Sequence, residues 1–400
     1  MIDRIRARSA GIVAGLLLST LAASAPAQEK FASKWFRYGS GVDTAWSISA
    51  DPAKPLQLSG QRKARASSAA SKRVLVLYPR PSSAYDIAIT KILQEFDAKD
   101  VDATVTVINF EMSDVRGTES IQFAENNKID LIFAMGSEST AWLFDNYRGG
   151  RIPVVSVCSK DPDQLGQIKD YERGSGNNFA FTSLNVPVEV QMAYVKELRP
   201  DLKNLAVLVD SKNVSAVQTQ AEPIASFARQ AGIQVIWGAV QNPSKARDEL
   251  VPIVQSAVQT MRKSDPDLSK SLFWMTGSTS VFLEIRTVNE HADRVPVVSV
   301  VPEIVKAGAD TAVLAIGVSF ESNAHLAAIY GAQILAGRAK AGDLKVGLVS
   351  PPDIAISFMK AREIGLRIPF NFYESASFIY DYEGRPARTT ASKVLPEKEN

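Results

Sequence analysis

From Arg73 onward, short unbroken apolar runs alternate with stretches whose apolar residues recur at helical spacing. Val74-Leu75-Val76-Leu77-Tyr78, bounded by Pro79 and Pro81, has the form of a strand covered on both faces, and the spacing after it predicts a helix over 84–97. The alternation repeats as strand 104–110, helix 119–127, strand 131–135, helix 137–147 and strand 154–158. This pattern predicts a parallel sheet with helices on both faces. A second series opens with a helix from Pro187 to Leu198, stopped by Arg199-Pro200. Strands 205–209, 234–238, 272–275 and 295–300 then alternate with helices 216–231, 244–262 and 280–291.

A strand over 312–318, a helix over 323–337, a strand over 345–349 and a helix over 356–365 follow, too few for a third domain. They are expected to cross between the two units. The predicted fold is α/β, two doubly wound parallel-sheet lobes joined by a multi-strand hinge. The N-terminal lobe takes residues 73–182 and 319–345, the C-terminal lobe 183–318 and 346–385, and 386–400 form a tail. In such an arrangement the carboxyl ends of the two sheets face each other, where open α/β sheets bind ligands.

Ahead of the lobes, Arg4, Arg6 and Arg8 precede an apolar run from Ala10 to Ala23 and a small-x-small site, Ala25-Pro26-Ala27. That is the form of a signal peptide over 1–27, too short for the roughly 20 apolar residues of a membrane span. Residues 28–72 show no apolar periodicity and end in a small, basic stretch, which predicts a flexible leader. Its aromatics, Trp35, Phe36, Tyr38 and Trp46, give the alternative that the segment docks on the folded body or on a partner.

Charge and chemistry narrow the function. With 45 Lys+Arg against 43 Asp+Glu, the net charge of +2 supplies no field for a nucleic-acid partner. The single cysteine, Cys158, forms no intrachain disulfide, and none stands at the cleavage site to take a lipid. The expected location is therefore the periplasm, without a lipid anchor. Two histidines, His291 and His325, give little from which to build a triad or metal centre, and no nucleophile elbow, phosphate loop or dinucleotide fingerprint stands in its required setting. No catalytic residue, metal or cofactor is expected.

The strand ends are instead rich in hydroxyls and amides. Arg80, Ser82, Ser83 and Tyr85 follow the first strand; Ser137, Glu138, Ser139 and Thr140 the third; Ser159, Lys160 and Asp161 the fourth. In the second series Asp210, Ser211, Asn213 and Ser215 follow one strand, and Thr276, Gly277, Ser278 and Thr279 another. Free backbone N–H groups and hydroxyls there suit a carboxylate or phosphate, although the same residue types also cap helices. Except for Glu138, Lys160 and Asp210, these residues are taken as ligand-binding candidates, with Glu303 and Phe320 added. Arg80 and Tyr85 are expected to supply charge pairing and stacking.

Several phrases carry a family resemblance over 73–379: Asp130-Leu131-Ile132-Phe133-Ala134, Ile152-Pro153-Val154-Val155 leading to Asp161-Pro162, Leu198-Arg199-Pro200, Val305-Lys306-Ala307-Gly308-Ala309, Ala332-Gln333-Ile334-Leu335-Ala336-Gly337, and the stretch from Lys360 to Pro369. The chain resembles ABC-transporter substrate-binding proteins of the tryptophan/tyrosine-binding type, themselves similar to type I periplasmic binding proteins. The resemblance implies a monomeric two-lobed receptor that hands a small-molecule ligand to a membrane permease. It places Ser137, Thr140, Ser159, Asp161 and Ser215 in the cleft. Gly277-Ser278 stands where the family often has Asp-Asn, and Val214 where Asn commonly precedes the matched Ser. The implied ligand is an amino acid or another aromatic or carboxylate compound. A ligand-presenting partner of a membrane sensor kinase is the alternative, and an exported enzyme using Asp161 or Glu303 a third reading.

Overall fold

In the computed structural model, the structure describes residues 29–31, 33–63 and 71–389; the expected signal peptide over 1–27 lies outside the described residues. The N-terminal lobe is built on a seven-stranded sheet in the order Trp46–Ala50, Gln57–Arg62, Ala103–Asn109, Lys72–Tyr78, Leu131–Met135, Val154–Val157, Phe179–Ala180. The last five strands run parallel, and the first two add antiparallel at one edge. Alternate residues of Lys72–Tyr78 point to opposite faces: Val74, Val76 and Tyr78 join one core cluster, and Leu75 and Leu77 join another. A parallel strand covered twice in this way must be apolar throughout.

The C-terminal lobe has eight strands in the order Gln234–Val240, Asn204–Asp210, Ser271–Met275, Val297–Ser299, Leu314–Gly317, Asp353–Ser357, Phe378–Tyr380, Pro386–Thr389. The first five are parallel; Asp353–Ser357 pairs antiparallel with Leu314–Gly317 and parallel with Phe378–Tyr380. The two α/β lobes anticipated from the alternation are therefore present.

Three stretches pass between the sheets. After Phe179–Ala180 the chain enters the second lobe through helix Val188–Leu198; after Leu314–Gly317 it returns with helix Phe320–Leu335, which packs on helix Ser83–Ala98; it crosses again ahead of Asp353–Ser357. The crossings are bonded to one another. Gly347 accepts from Ser183 N at 2.9 Å and donates to Phe181 O at 2.8 Å, while Ser319 N donates to the buried Asp353 carboxylate at 2.9 Å. Asn323 Oδ1 accepts from Thr182 Oγ1 at 3.1 Å and from Cys158 N at 2.7 Å.

Three expectations are corrected here. The run 345–349 is not a strand: Gly347 makes one isolated bridge with Thr182, and the strand lies at Asp353–Ser357, with its helix starting at Phe358. A buried hinge crossing and a buried strand carry the same apolar pattern, so only the hydrogen-bond partner distinguishes them. The flexible leader is also wrong for 33–63, and the tail is wrong for 386–389, which pair as a strand.

The N-terminal segment packs on the first lobe. Phe36, Val42, Trp46 and Leu58 are buried, Trp46 Nε1 donates to Leu93 O at 3.0 Å, and Arg62 pairs with Asp97 and Asp100. Its strands are half-buried, so apolar residues alternate with polar ones over only a few positions. That signal is much weaker than a continuous run. Of the two docking alternatives for its aromatics, the folded body is the one found: they pack into this lobe's own core.

Candidate functional site

Each wall of the cleft grows from carboxyl ends of strands. In the first lobe, Arg80 beyond strand Lys72–Tyr78 donates to Glu138 at 2.6 Å, and Tyr85 OH donates to the same carboxylate at 3.4 Å. Gly136, at φ +76°, makes this approach possible, since a Cβ there would lie 2.0 Å from the Tyr85 hydroxyl. Burial opposes the Arg80 charge, but Glu138, Tyr85 and Asp210 of the opposite lobe outweigh it and raise its pKa. Burial first, and then Glu138, push the Tyr85 hydroxyl well above its ordinary value, so it stays a donor.

Beyond strand Val154–Val157, Cys158 adopts φ 53°, a conformation rare outside glycine, and turns the chain across the cleft floor. Lys160 N then donates to Ser137 Oγ at 3.0 Å. Ser159 is fully buried, and its Oγ has no partner among the described residues. The Lys160 side chain is also buried, and burial lowers its pKa, with Glu138 acting in the opposite sense and Arg80 in the same sense. Burial raises the Cys158 thiol, which makes it a packed apolar group and not a nucleophile.

The second lobe is different. Asp210 accepts from Ser280 Oγ at 2.7 Å and from Lys212 N at 2.9 Å. Ser211 Oγ donates to Val240 O, Thr276 Oγ1 to Leu208 O, and Ser215 Oγ to Asn213, whose Oδ1 also caps Ala216 N. Ser278 Oγ accepts from Asp210 N and lies 3.2 Å from Thr276 Oγ1. Gly277 N donates at 2.8 Å to Gln220, a buried residue on the π-helical turn Val217–Ala221. Beside it, Thr219 O accepts from Asn185 of the first crossing at 2.6 Å.

At the hinge, Glu303 Oε1 accepts from Phe320 N at 2.5 Å, while its Oε2 is shut off from solvent without a partner. Burial pushes this carboxyl up to about 8, with Asp353 and Glu321 adding to the rise against two backbone hydrogen bonds. Phe320 lies 6.3 Å from Phe282 of the opposite lobe, centroid to centroid.

Of the sequence candidates, Arg80, Tyr85, Ser137 and Ser159 come together on the first wall. Ser139 donates to Leu77 O and Thr140 to Gly136 O, both serving the fold. Asp161 is occupied by the amides of Asp163 and Gln164 and by Tyr171 OH. Ser82, Ser83 and Thr279 stand at the starts of helices Ser83–Ala98 and Thr279–Phe282. Glu138, Lys160 and Asp210 were visible in the strand-end segments but outweighed there by the hydroxyls. Gln220 and Asn185 gave no sequence signal. Two surface cavities, of about 370 and 260 Å³, lie away from the cleft beside the N-terminal segment, one against Arg116 and Phe123, the other against Tyr38 and Thr90. Neither gathers unpartnered buried polar groups as the cleft does.

The sequence profile of the ABC transporter substrate binding protein family matches residues 82–378. Among solved structures, a conserved domain protein of Vibrio cholerae is similar, with a TM-score of 0.62 at 18% identity over 78% of this chain and 100% of that one. An ABC domain of Streptococcus pneumoniae in complex with L-Trp gives 0.62 at 18% identity over 77% and 100%. A ligand-free, open substrate binding protein with adhesive properties from Clostridium difficile gives 0.58 at 18% identity over 77% and 98%. No curated protein sequence matches the chain. At these identities the structures speak for the fold, and the family match carries the assignment. The chain belongs to the ABC transporter substrate-binding proteins, which bind a small-molecule ligand for delivery to a permease and are not enzymes.

Proposed function

We propose that the protein acts in the periplasm as a monomeric receptor that captures a small organic molecule, an amino acid or an aromatic or carboxylate compound, by closing its lobes. The observation that carries this reading is the turn after strand Val154–Val157, where the buried Ser159 hydroxyl has no partner and the neighbouring buried Lys160 side chain has no ion pair among the described residues. Most buried polar groups in folded proteins are satisfied, so an unpartnered hydroxyl at a strand end beside a buried lysine is a place where a ligand supplies the acceptor. The interlinked crossings at Thr182, Ser319 and Gly347 supply a hinge about which two rigid lobes can close. Arg80, Tyr85 and Ser137 line the first wall, with Phe320 and Phe282 at the back and Gln220 on the opposite face.

Calorimetry of the purified chain against amino acids and aromatic acids tests the reading. At least one compound should bind with about micromolar affinity or better, and X-ray scattering should show a smaller radius of gyration in its presence. No binder across the panel would overturn it. Export is tested separately by fractionation, with the protein expected in the periplasmic fraction and cleaved after Ala27.

A further inference from the structure

We infer that the ligand is an organic monoanion, a carboxylate without an ammonium group, and that Lys160 is the residue that selects it. This inference rests on the receptor reading above.

The backbone around Lys160 is fixed from both sides. Asn323 Oδ1, on a hinge helix, accepts the Cys158 N–H at 2.7 Å, and Ser137 Oγ accepts the Lys160 N–H at 3.0 Å. A left-handed Cys158 between them holds a strained turn, the kind of backbone that persists where the surroundings enforce it. The side chain carried on this turn is 8% exposed, and its ammonium has no ion pair or hydrogen bond among the described residues. Keeping a cation there unpaired is costly, and burial accordingly lowers the Lys160 pKa; an anion beside it would act in the opposite sense.

The neighbouring acid does not relieve it. Glu138 already takes the Arg80 guanidinium at 2.6 Å and the Tyr85 hydroxyl. On the first wall Arg80 and Lys160 thus share one carboxylate, Glu138, while Asp210 acts on Arg80 from the opposite lobe. The unpartnered Ser159 hydroxyl next to Lys160 is a second donor waiting for an acceptor. A carboxylate beside Lys160 supplies the counter-charge that Glu138, bonded to Arg80, does not.

The acids described around the cleft already accept hydrogen bonds from the fold. Asp210 is bonded to Ser280 and to the Lys212 amide, and Asp161 to two turn amides and Tyr171. Glu303 is protonated near neutral pH, because burial has raised its carboxyl to about 8. A zwitterionic amino acid would have to draw its cation's partner from acids whose hydrogen bonds already hold the fold.

The test uses matched triplets: phenylacetate, phenylacetamide and L-phenylalanine; indole-3-acetate, its amide and L-tryptophan; and butyrate, butyramide and 2-aminobutyrate. Each is titrated calorimetrically into the full chain, and small molecules released by denaturing the freshly purified protein are identified by mass spectrometry. The expected result is binding by an acid, with its amide and amino acid weaker by about tenfold or more, the cost of an unpaired charged partner. Lys160→Met should lose about tenfold or more in acid affinity while keeping its melting temperature, and Lys160→Arg should retain most of it. An amide or amino acid that binds as tightly as its acid, or a released molecule held equally by Lys160→Met, overturns the inference and leaves the receptor standing. No titrated binder and no released molecule overturns both.

Discussion

The two walls of the cleft draw on the same residue types, serine, threonine and a buried acid at the carboxyl ends of parallel strands, and use them in opposite ways. On the second lobe, Asp210, Ser278, Ser280, Thr276 and Ser211 are bonded among themselves or to backbone carbonyls. The wall is a closed network whose energy goes into holding strand ends in register. On the first lobe, Ser159 and Lys160 are presented by a strained turn with their polar ends unspent. Hydroxyl content therefore does not identify a binding surface. What distinguishes one is whether its buried donors have already found acceptors in the fold.

The first wall is also propped from behind. Trp35 lies 5.7 Å and Phe36 5.9 Å from Tyr78, and Tyr78 in turn lies 5.5 Å from Tyr85, which bonds Glu138. Tyr78 OH donates to Tyr85 O at 2.9 Å. The N-terminal segment, which precedes the family match, is thus built into the support of the site.

That contrast can be broken in four ways. Phe36→Ala should have the largest effect, about 3–5 kcal/mol of stability for a fully buried aromatic, read by urea unfolding. It should also weaken ligand binding, because Tyr78 and Tyr85 lose their support; unchanged binding would separate the segment from the site. Asp210→Ala should cost about 1–3 kcal/mol by orphaning Ser280 and the Lys212 amide. Its effect on stability should exceed its effect on affinity.

Glu303, where the lobes meet, should act through pH. Its folded pKa, about 8, lies above the unfolded value near 4.5, so its contribution to stability is complete below 4.5 and is lost as pH rises through 8. Glu303→Gln should flatten the fall in melting temperature between those limits. Ser159→Ala should have the smallest effect on folding, within about 0.5 kcal/mol, because its hydroxyl bonds nothing. A larger loss in thermal denaturation would mean that the first wall is as closed as the second.

Twofold-covered strands were plain in the sequence: Leu131–Met135 is found over the residues that its apolar run marks, because burial on both faces leaves no room for polar residues. The two-lobe architecture followed from the alternation of such runs with helical spacing. Strands half-buried at an edge, Trp46–Ala50 and Gln57–Arg62, were not legible, since only every second residue must be apolar. Nor was the hinge, where 345–349 reads as a strand but bonds to another crossing.

In the candidate site, local chemistry marked the strand-end segments but not which members stay free. Whether Ser159 is unpartnered and Ser278 bonded depends on atoms contributed by residues far apart in the chain, Asp210 and Ser278 among them. Periodicity is a property of neighbours along the chain, and it determined the lobes. Satisfaction of a buried polar group is a property of neighbours in space, so only the tertiary structure decided which wall keeps an unpartnered hydroxyl.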